Sequence, residues 1–279
     1  MNLLFFFNIG LFIVCIFSCV DDKPKAKKYL YTSHTRICNA ENGWSIKKEL
    51  EKVNYSSFDL TLLGGDMLCQ SSLENRGMKY LDSIFNINSE KTLWSIGNHD
   101  DDNLAVFKKY TKRNNYYSCF FDGITFIILD SEVDDCKIIN DQLAFIQNTL
   151  DTIKDSKNII IMTHKLIWLY GNEEIKLYGE EKSNVKIGDN KWNIKVNNFY
   201  NDIYPLLIKK ELDGINVICI AGDLGTNSNV FEFKSREGID FLANGIGDDL
   251  LNDKMLVLSN VNSIISWEFI KIDNLKDLF

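Results

Sequence analysis

Hydrophobic positions along this chain gather in short bursts rather than alternating with polar ones. Residues 28–33, 58–63, 92–96, 158–163 and 217–221 are each largely apolar and are closed by polar residues or glycine. Runs of this length without alternation predict buried strands. Between them apolar residues recur at helical spacing, as at Ile46, Leu50 and Val53 and at Leu143, Ile146 and Leu150. Residues 116–121 and 124–129, joined through Asp122-Gly123, predict a β-hairpin. Toward the C-terminus, strands at 230–233, 239–243, 255–258 and 264–272 follow one another with hardly a helix between. Strand–helix alternation followed by a run of strands predicts an α/β protein of layered sheets.

The N-terminus breaks this pattern. Residues 3–17 are almost wholly apolar, and Asp21, Asp22, Lys23, Pro24 and Lys25 follow abruptly. A membrane-spanning helix needs about 20 apolar residues, so the run suits the core of an export signal instead. Its end, Ile16-Phe17-Ser18-Cys19, resembles the lipobox of bacterial lipoproteins, with Cys19 as the lipidated residue. An uncleaved helix, or a plain secretory signal cut nearby, is the other reading. The expected organisation is a signal at 1–19, a solvated tether at 20–27 and one domain at 28–279. The protein is then exported and lipid-anchored at the cell envelope or surface.

Composition narrows the partners. With 45% hydrophobic and 25% charged residues the balance is that of a globular domain. A formal net charge of −8 argues against an electrostatic grip on nucleic acid. Cys38, Cys69, Cys119, Cys136 and Cys219 form no Cys-x-x-Cys pair. Cys69 and Cys219 sit in or beside apolar runs and read as buried thiols, although export permits disulfides. Residues 168–197 are polar and punctuated by glycine, yet hold Trp168, Tyr170, Tyr178 and Trp192. Such a segment is either a cover over a site or a floppy insertion; the cover is preferred.

The chemistry is concentrated at strand ends, where α/β sheets place their ligands. The three histidines, His34, His99 and His164, each end or follow a predicted buried strand. Two further strands run into Gly-Asp, at Gly65-Asp66 and Gly222-Asp223, and a third into Gly97-Asn98-His99-Asp100. A single such residue reads as a capped turn; a series of them reads as a site. Carboxylate, amide and imidazole donors together suit Zn, Mn or Fe.

The order and spacing of these motifs resemble the metallophosphoesterase (calcineurin-like phosphoesterase) family, whose pattern runs Asp-x-His, Gly-Asp, Gly-Asn-His-(Asp/Glu), His, Gly-His-x-His. The resemblance extends over residues 28–272. It implies two mixed β-sheets packed as a sandwich and flanked by helices. It also implies one or two divalent metal ions (Mn, Fe or Zn) and a small phosphorylated substrate. Asp66 would bridge two metals, and Asn98 and His164 would ligate the second. His99 would face the leaving-group oxygen or stabilise the transition state, with Asp100 orienting its imidazole and raising its basicity.

Two motifs depart from the family pattern. Gly222-Asp223-Leu224-Gly225 stands where the family has Gly-His-x-His, so Asp223 can ligate the second metal but Gly225 supplies nothing. Thr32-Ser33-His34-Thr35-Arg36 stands at the first motif. In one register His34 takes the aspartate's place and Arg36 the histidine's; in the other Thr32 replaces the aspartate and His34 is kept. Either way the first metal retains His34 and Asp66, and the second retains Asp66, Asn98, His164 and Asp223. Arg36 would bind phosphate and stand in for missing charge, or form a solvent salt bridge. The expected activity is metal-dependent hydrolysis of a phosphomonoester or phosphodiester, with an incomplete first metal site. The alternative is a non-catalytic surface lipoprotein that binds phosphate or metal in a relic of the same fold.

Overall fold

The computed structural model describes residues 26–38, 45–182, 186–190, 192–224, 229–247 and 252–278. The expected signal, Cys19 and most of the tether lie outside the described residues, as does Gly225. The chain forms β1 (Lys27–Thr32), α1 (Lys48–Glu51), β2 (Leu60–Leu63), α2 (Asn75–Phe85), β3 (Thr92–Trp94) and α3 (Leu104–Thr111). There follow β4 (Tyr117–Phe121), β5 (Ile124–Ile128), α4 (Asn140–Thr152), β6 (Asn158–Thr163), α5 (Glu173–Lys182) and α6 (Tyr204–Leu212). The remainder is strand: β7 (Asn216–Ala221), β8 (Val230–Lys234), β9 (Asp240–Asn244), β10 (Lys254–Val261) and β11 (Ile264–Lys271), closed by a 3₁₀ turn.

These strands build two mixed sheets. The first has the order β11-β10-β1-β2-β3, with β1, β2 and β3 parallel. The second has the order β4-β5-β6-β7-β9-β8, with β5, β6, β7 and β9 parallel and an antiparallel strand on each edge. The terminal run of strands is shared out. β8 and β9 complete the second sheet, whereas β10 and β11 return to pair antiparallel beside β1 in the first.

Burial explains the pattern of apolar runs. Every residue of β2, β5 and β6 is buried, because the sheets face each other and helices cover their outer faces. Tyr29, Leu62, Phe126, Met162, Ile220 and Leu256 belong to the cluster between the sheets. Leu30, Leu63 and Trp94 pack outward with Met78, Leu81 and Phe107 of α2 and α3. Ile127, Ile161 and Cys219 pack outward with Ile146 of α4 and Leu207 of α6. The edge strands β4 and β11 alternate between sheltered and exposed positions, as edges with one wet face do.

The helix expected around 46–53 shrinks to α1, because Ile46 is drawn into an antiparallel bridge with Arg36. The strand expected from 58 begins at Leu60, since Phe58 closes the 3₁₀ turn Tyr55–Ser57. Lys27, expected in the tether, already pairs in β1.

Candidate active site

The carboxyl ends of β1, β2, β6 and β7 meet at one rim, where short hydrogen bonds tie the sheets together. The Ser33 hydroxyl lies 2.6 Å from the Gly222 carbonyl and 2.7 Å from that of Asn244, and the Ser33 carbonyl accepts from the Ile246 N–H at 3.0 Å. His164 Nδ1 donates to the Gly64 carbonyl at 2.8 Å, which joins the end of β6 to the end of β2. Gly97 lets the loop after β3 approach: a Cβ there would lie 2.3 Å from Asp66 Oδ1.

His34 and Asp66 both hold left-handed backbone angles, with φ of 54° and 57°. That region is unfavourable for residues with a side chain and persists where the surroundings impose it. Here the His34 N–H donates to the Gly65 carbonyl at 2.9 Å, and the Asp66 N–H donates to Asp100 Oδ2 at 2.6 Å.

Asp66 is the hub. Its Oδ2 faces Arg36 Nη1 at 3.3 Å and His34 Nε2 at 3.8 Å. Its Oδ1 faces His164 Nε2 at 3.3 Å and accepts from the His99 backbone N–H at 3.1 Å. Asp223 Oδ1 lies 4.0 Å from His164 Nε2 on the other side. Burial would raise the Asp66 carboxyl, but the charges of His164 and Arg36 outweigh it and hold it well below the usual range. Burial and then Arg36 push His34 down to about 3, which keeps its ring neutral. His164 goes the other way. Burial lowers it, yet Asp66, Asp223 and Glu132 together lift it to about 9.

Asp100 corrects one expectation. It does not orient the His99 imidazole, whose Nδ1 donates instead to the Cys69 carbonyl at 2.8 Å. The Asp100 carboxylate turns inward and accepts from the backbone N–H groups of Asp66, Met67 and Gly97 and from the Ser71 hydroxyl. Burial and the neighbouring Asp66 push it up to about 6. It shapes the loop that presents Asp66.

The cysteines supply a second correction. Cys69 is not a buried thiol but is disulfide-bonded to Cys38, with the Cα atoms 5.5 Å apart. The bond joins the loop carrying Arg36 to the loop carrying Asp66. Cys219 is buried and free, as its apolar surroundings predict. The sequence reading also passed over the buried ion pair of Lys165 Nζ and Glu132 Oε2, 2.9 Å long, beside His164. The segment at 168–197 is fastened where it is described: Ile187 bridges Ile194, and Asn197 Nδ2 donates to the Ile167 carbonyl at 3.0 Å. Its Trp192 stacks on the His99 ring.

Among the described residues, no three His, Cys, Asp or Glu side chains stand close enough to chelate an ion as they are placed. The donor chemistry nevertheless fits one cation. His164 Nδ1 holds one hydrogen against the Gly64 carbonyl, and its buried Nε2, without a hydrogen-bond partner, faces two carboxylates. That arrangement needs a positive charge between them, either a proton or a metal. On the opposite flank of Asp66, Arg36 already supplies a cation, so the first metal position does not fit an ion.

No protein-family model matches the chain, and no curated protein sequence does. Solved structures do. A dimetal phosphatase from Danio rerio superposes with a TM-score of 0.60 at 9% identity, over 88% of this chain and 96% of that one. GAP50, the anchor in the inner membrane complex of Plasmodium, superposes with a TM-score of 0.55 at 13% identity, over 91% of this chain and 87% of that one. At these identities the likeness establishes the fold.

Proposed function

On a metallophosphoesterase fold whose first metal position is taken by an arginine, we propose a hydrolase of phosphomonoesters or phosphodiesters that uses a single divalent ion. The observation that carries this reading is the asymmetry about Asp66. Arg36 stands 3.3 Å from one oxygen, and Nε2 of His164 stands 3.3 Å from the other.

His164, Asp66, Asp223 and Asn98 would hold the ion. An ion of the Mn, Fe or Zn type supplies positive charge to phosphoryl oxygens and acidifies water. The Arg36 side chain is 18% exposed and meets Asp66 through Nη1, so the guanidinium fork would offer its other N–H groups to a phosphate oxygen. His99 is fixed through Nδ1, which leaves Nε2 free to face the departing alkoxide; from the doubly protonated ring Nε2 would give up its proton and leave the neutral Nδ1–H tautomer. Asp100 is a positioning residue through the backbone of Asp66 and Gly97.

Elemental analysis and turnover on p-nitrophenyl phosphate and bis-p-nitrophenyl phosphate test the reading. One ion per chain with activity on either ester is the expected result. Replacement of Asp66 by Asn is expected to remove both ion and activity. Absence of bound ion, with no gain on adding Mn, Fe or Zn, would overturn it.

A second reading, a non-catalytic anchor that holds phosphate or metal, is favoured by the loss of first-site ligands at Arg36 and by the likeness to GAP50. Measurable turnover lost in His99→Ala excludes it. Export with lipidation at Cys19 is also part of the proposal. The apolar run at 3–17 supports it, and so does the Cys38–Cys69 disulfide, which persists in oxidising compartments. Replacement of Cys19 by Ser is expected to release the protein from membranes; unchanged attachment would reject the lipid anchor.

A further inference from the structure

We propose that Trp192 is the platform on which the substrate's leaving group stacks, and that it makes the site selective for phosphoesters of nucleosides. The inference rests on the hydrolase reading above and deepens it.

The Trp192 indole lies nearly parallel to the His99 imidazole, with ring centroids 5.6 Å apart and planes 11° apart. His99 cannot swing away freely, because Nδ1 is bonded to the Cys69 carbonyl. A leaving-group oxygen that meets Nε2 therefore carries its attached group out along the indole. Trp192 is 48% exposed even while stacked, so much of a large apolar ring faces solvent at the edge of a charged site. A purine or pyrimidine suits such a surface, because every base has a π face and needs no hydrogen-bond code to stack.

The platform is also held in place. Ile194, two residues on, is fully buried and bridges Ile187. Lys195 Nζ pairs with Asp135 at 2.6 Å, and the Lys195 N–H donates to Cys136 Sγ. A fixed ring loses little freedom when a base stacks on it.

Adenosine 5′-monophosphate and ribose 5-phosphate share one leaving oxygen and differ by the base, so their kcat/KM ratio isolates the stacking contribution. Base–aromatic stacking contributes roughly five- to 150-fold. The wild-type ratio is expected to favour the nucleotide, to fall at least fivefold in Trp192→Ala, and to survive in Trp192→Phe. A wild-type ratio near unity, or one unchanged in Trp192→Ala, overturns the proposal. The hydrolase reading is judged separately, by turnover of p-nitrophenyl phosphate and bis-p-nitrophenyl phosphate, and it can stand even if neither of these two monoesters is turned over. Calorimetric affinities for the same two compounds then decide the platform by the same ratio in the same variants.

Discussion

Arg36 Nη1 stands 3.3 Å from Oδ2 of Asp66, while the other oxygen of that carboxylate faces the His164 imidazole. A permanent cation and a titratable ring thus share one buried acid. The two flanks are not equivalent: a guanidinium does not give up its proton, whereas an imidazole can exchange the proton on Nε2 for a metal.

The Arg36 side chain is only 18% exposed and faces a buried carboxylate, so its charge is poorly screened by solvent. A charge-assisted hydrogen bond to phosphate contributes about 1.5–3 kcal/mol, or roughly 10-fold and upward in affinity. Arg36→Ala is expected to raise KM for phosphoesters by that factor, measured with the ion supplied in excess. Arg36→Lys is expected to recover only part, because an ammonium lacks the planar fork. Steady-state kinetics on metal-loaded variants decide it, and an unaltered KM in Arg36→Ala would remove the arginine from substrate binding.

His99 offers a different signature. General-acid help is worth about 10²–10⁴-fold and matters most when the departing oxygen is strongly basic. His99→Ala is expected to keep its metal, lose at least ~100-fold in kcat on an alkyl phosphate, and lose far less on p-nitrophenyl phosphate. Equal losses on both esters would mean that the ring holds the site's shape rather than delivering a proton.

The Cys38–Cys69 bond closes a loop with a sequence separation of 31. For a loop of this size the chain-entropy estimate is roughly 3–4 kcal/mol of stabilisation. The Cys38→Ser, Cys69→Ser double variant is expected to unfold that much more easily in guanidinium. Because the bond tethers the Arg36 loop, its KM is also expected to rise. Unfolding indistinguishable from the parent would assign the bond no structural weight.

At the far end of β1, Asp59 accepts from the Lys28 N–H and from Lys27 Nζ, each at 3.0 Å. Burial would raise its carboxyl, but these bonds outweigh it and hold the group below its usual 3.8. The unfolded chain therefore protonates first as the pH falls. The stabilisation from Asp59 is present above pH 3.8 and disappears as the pH drops through the lower folded value. Stability measured against pH is expected to show a gap between wild type and Asp59→Asn that narrows on acidification below 3.8. A gap that stays constant would mean the group is unperturbed.

Much of the sandwich was legible because its central strands are covered on both faces and so appear as unbroken apolar runs such as 158–163. The strand-end residues His34, Asp66, His164 and Asp223 were legible for a related reason: a polar group closing a buried strand has few structural uses. Adjacency misled at Asp100. It follows His99 directly, yet the turn sends its carboxylate inward to three backbone N–H groups, while the ring goes to Cys69. The disulfide was hidden because the two cysteines are neighbours only once β1 and β2 pair in parallel. Trp192 stood out as one aromatic of the expected cover, but its pairing with His99 had no local signal, since that ring lies in another loop.

The acid at the hub hangs from one sheet, and the imidazole and second carboxylate hang from the other. An ion gripped between them would act as a rivet driven through the seam of the sandwich. Loading it is then a mechanical event as much as a chemical one. Slippage of one layer against its mate would loosen the rivet, and amide hydrogens far from the rim would exchange more slowly once it is in place.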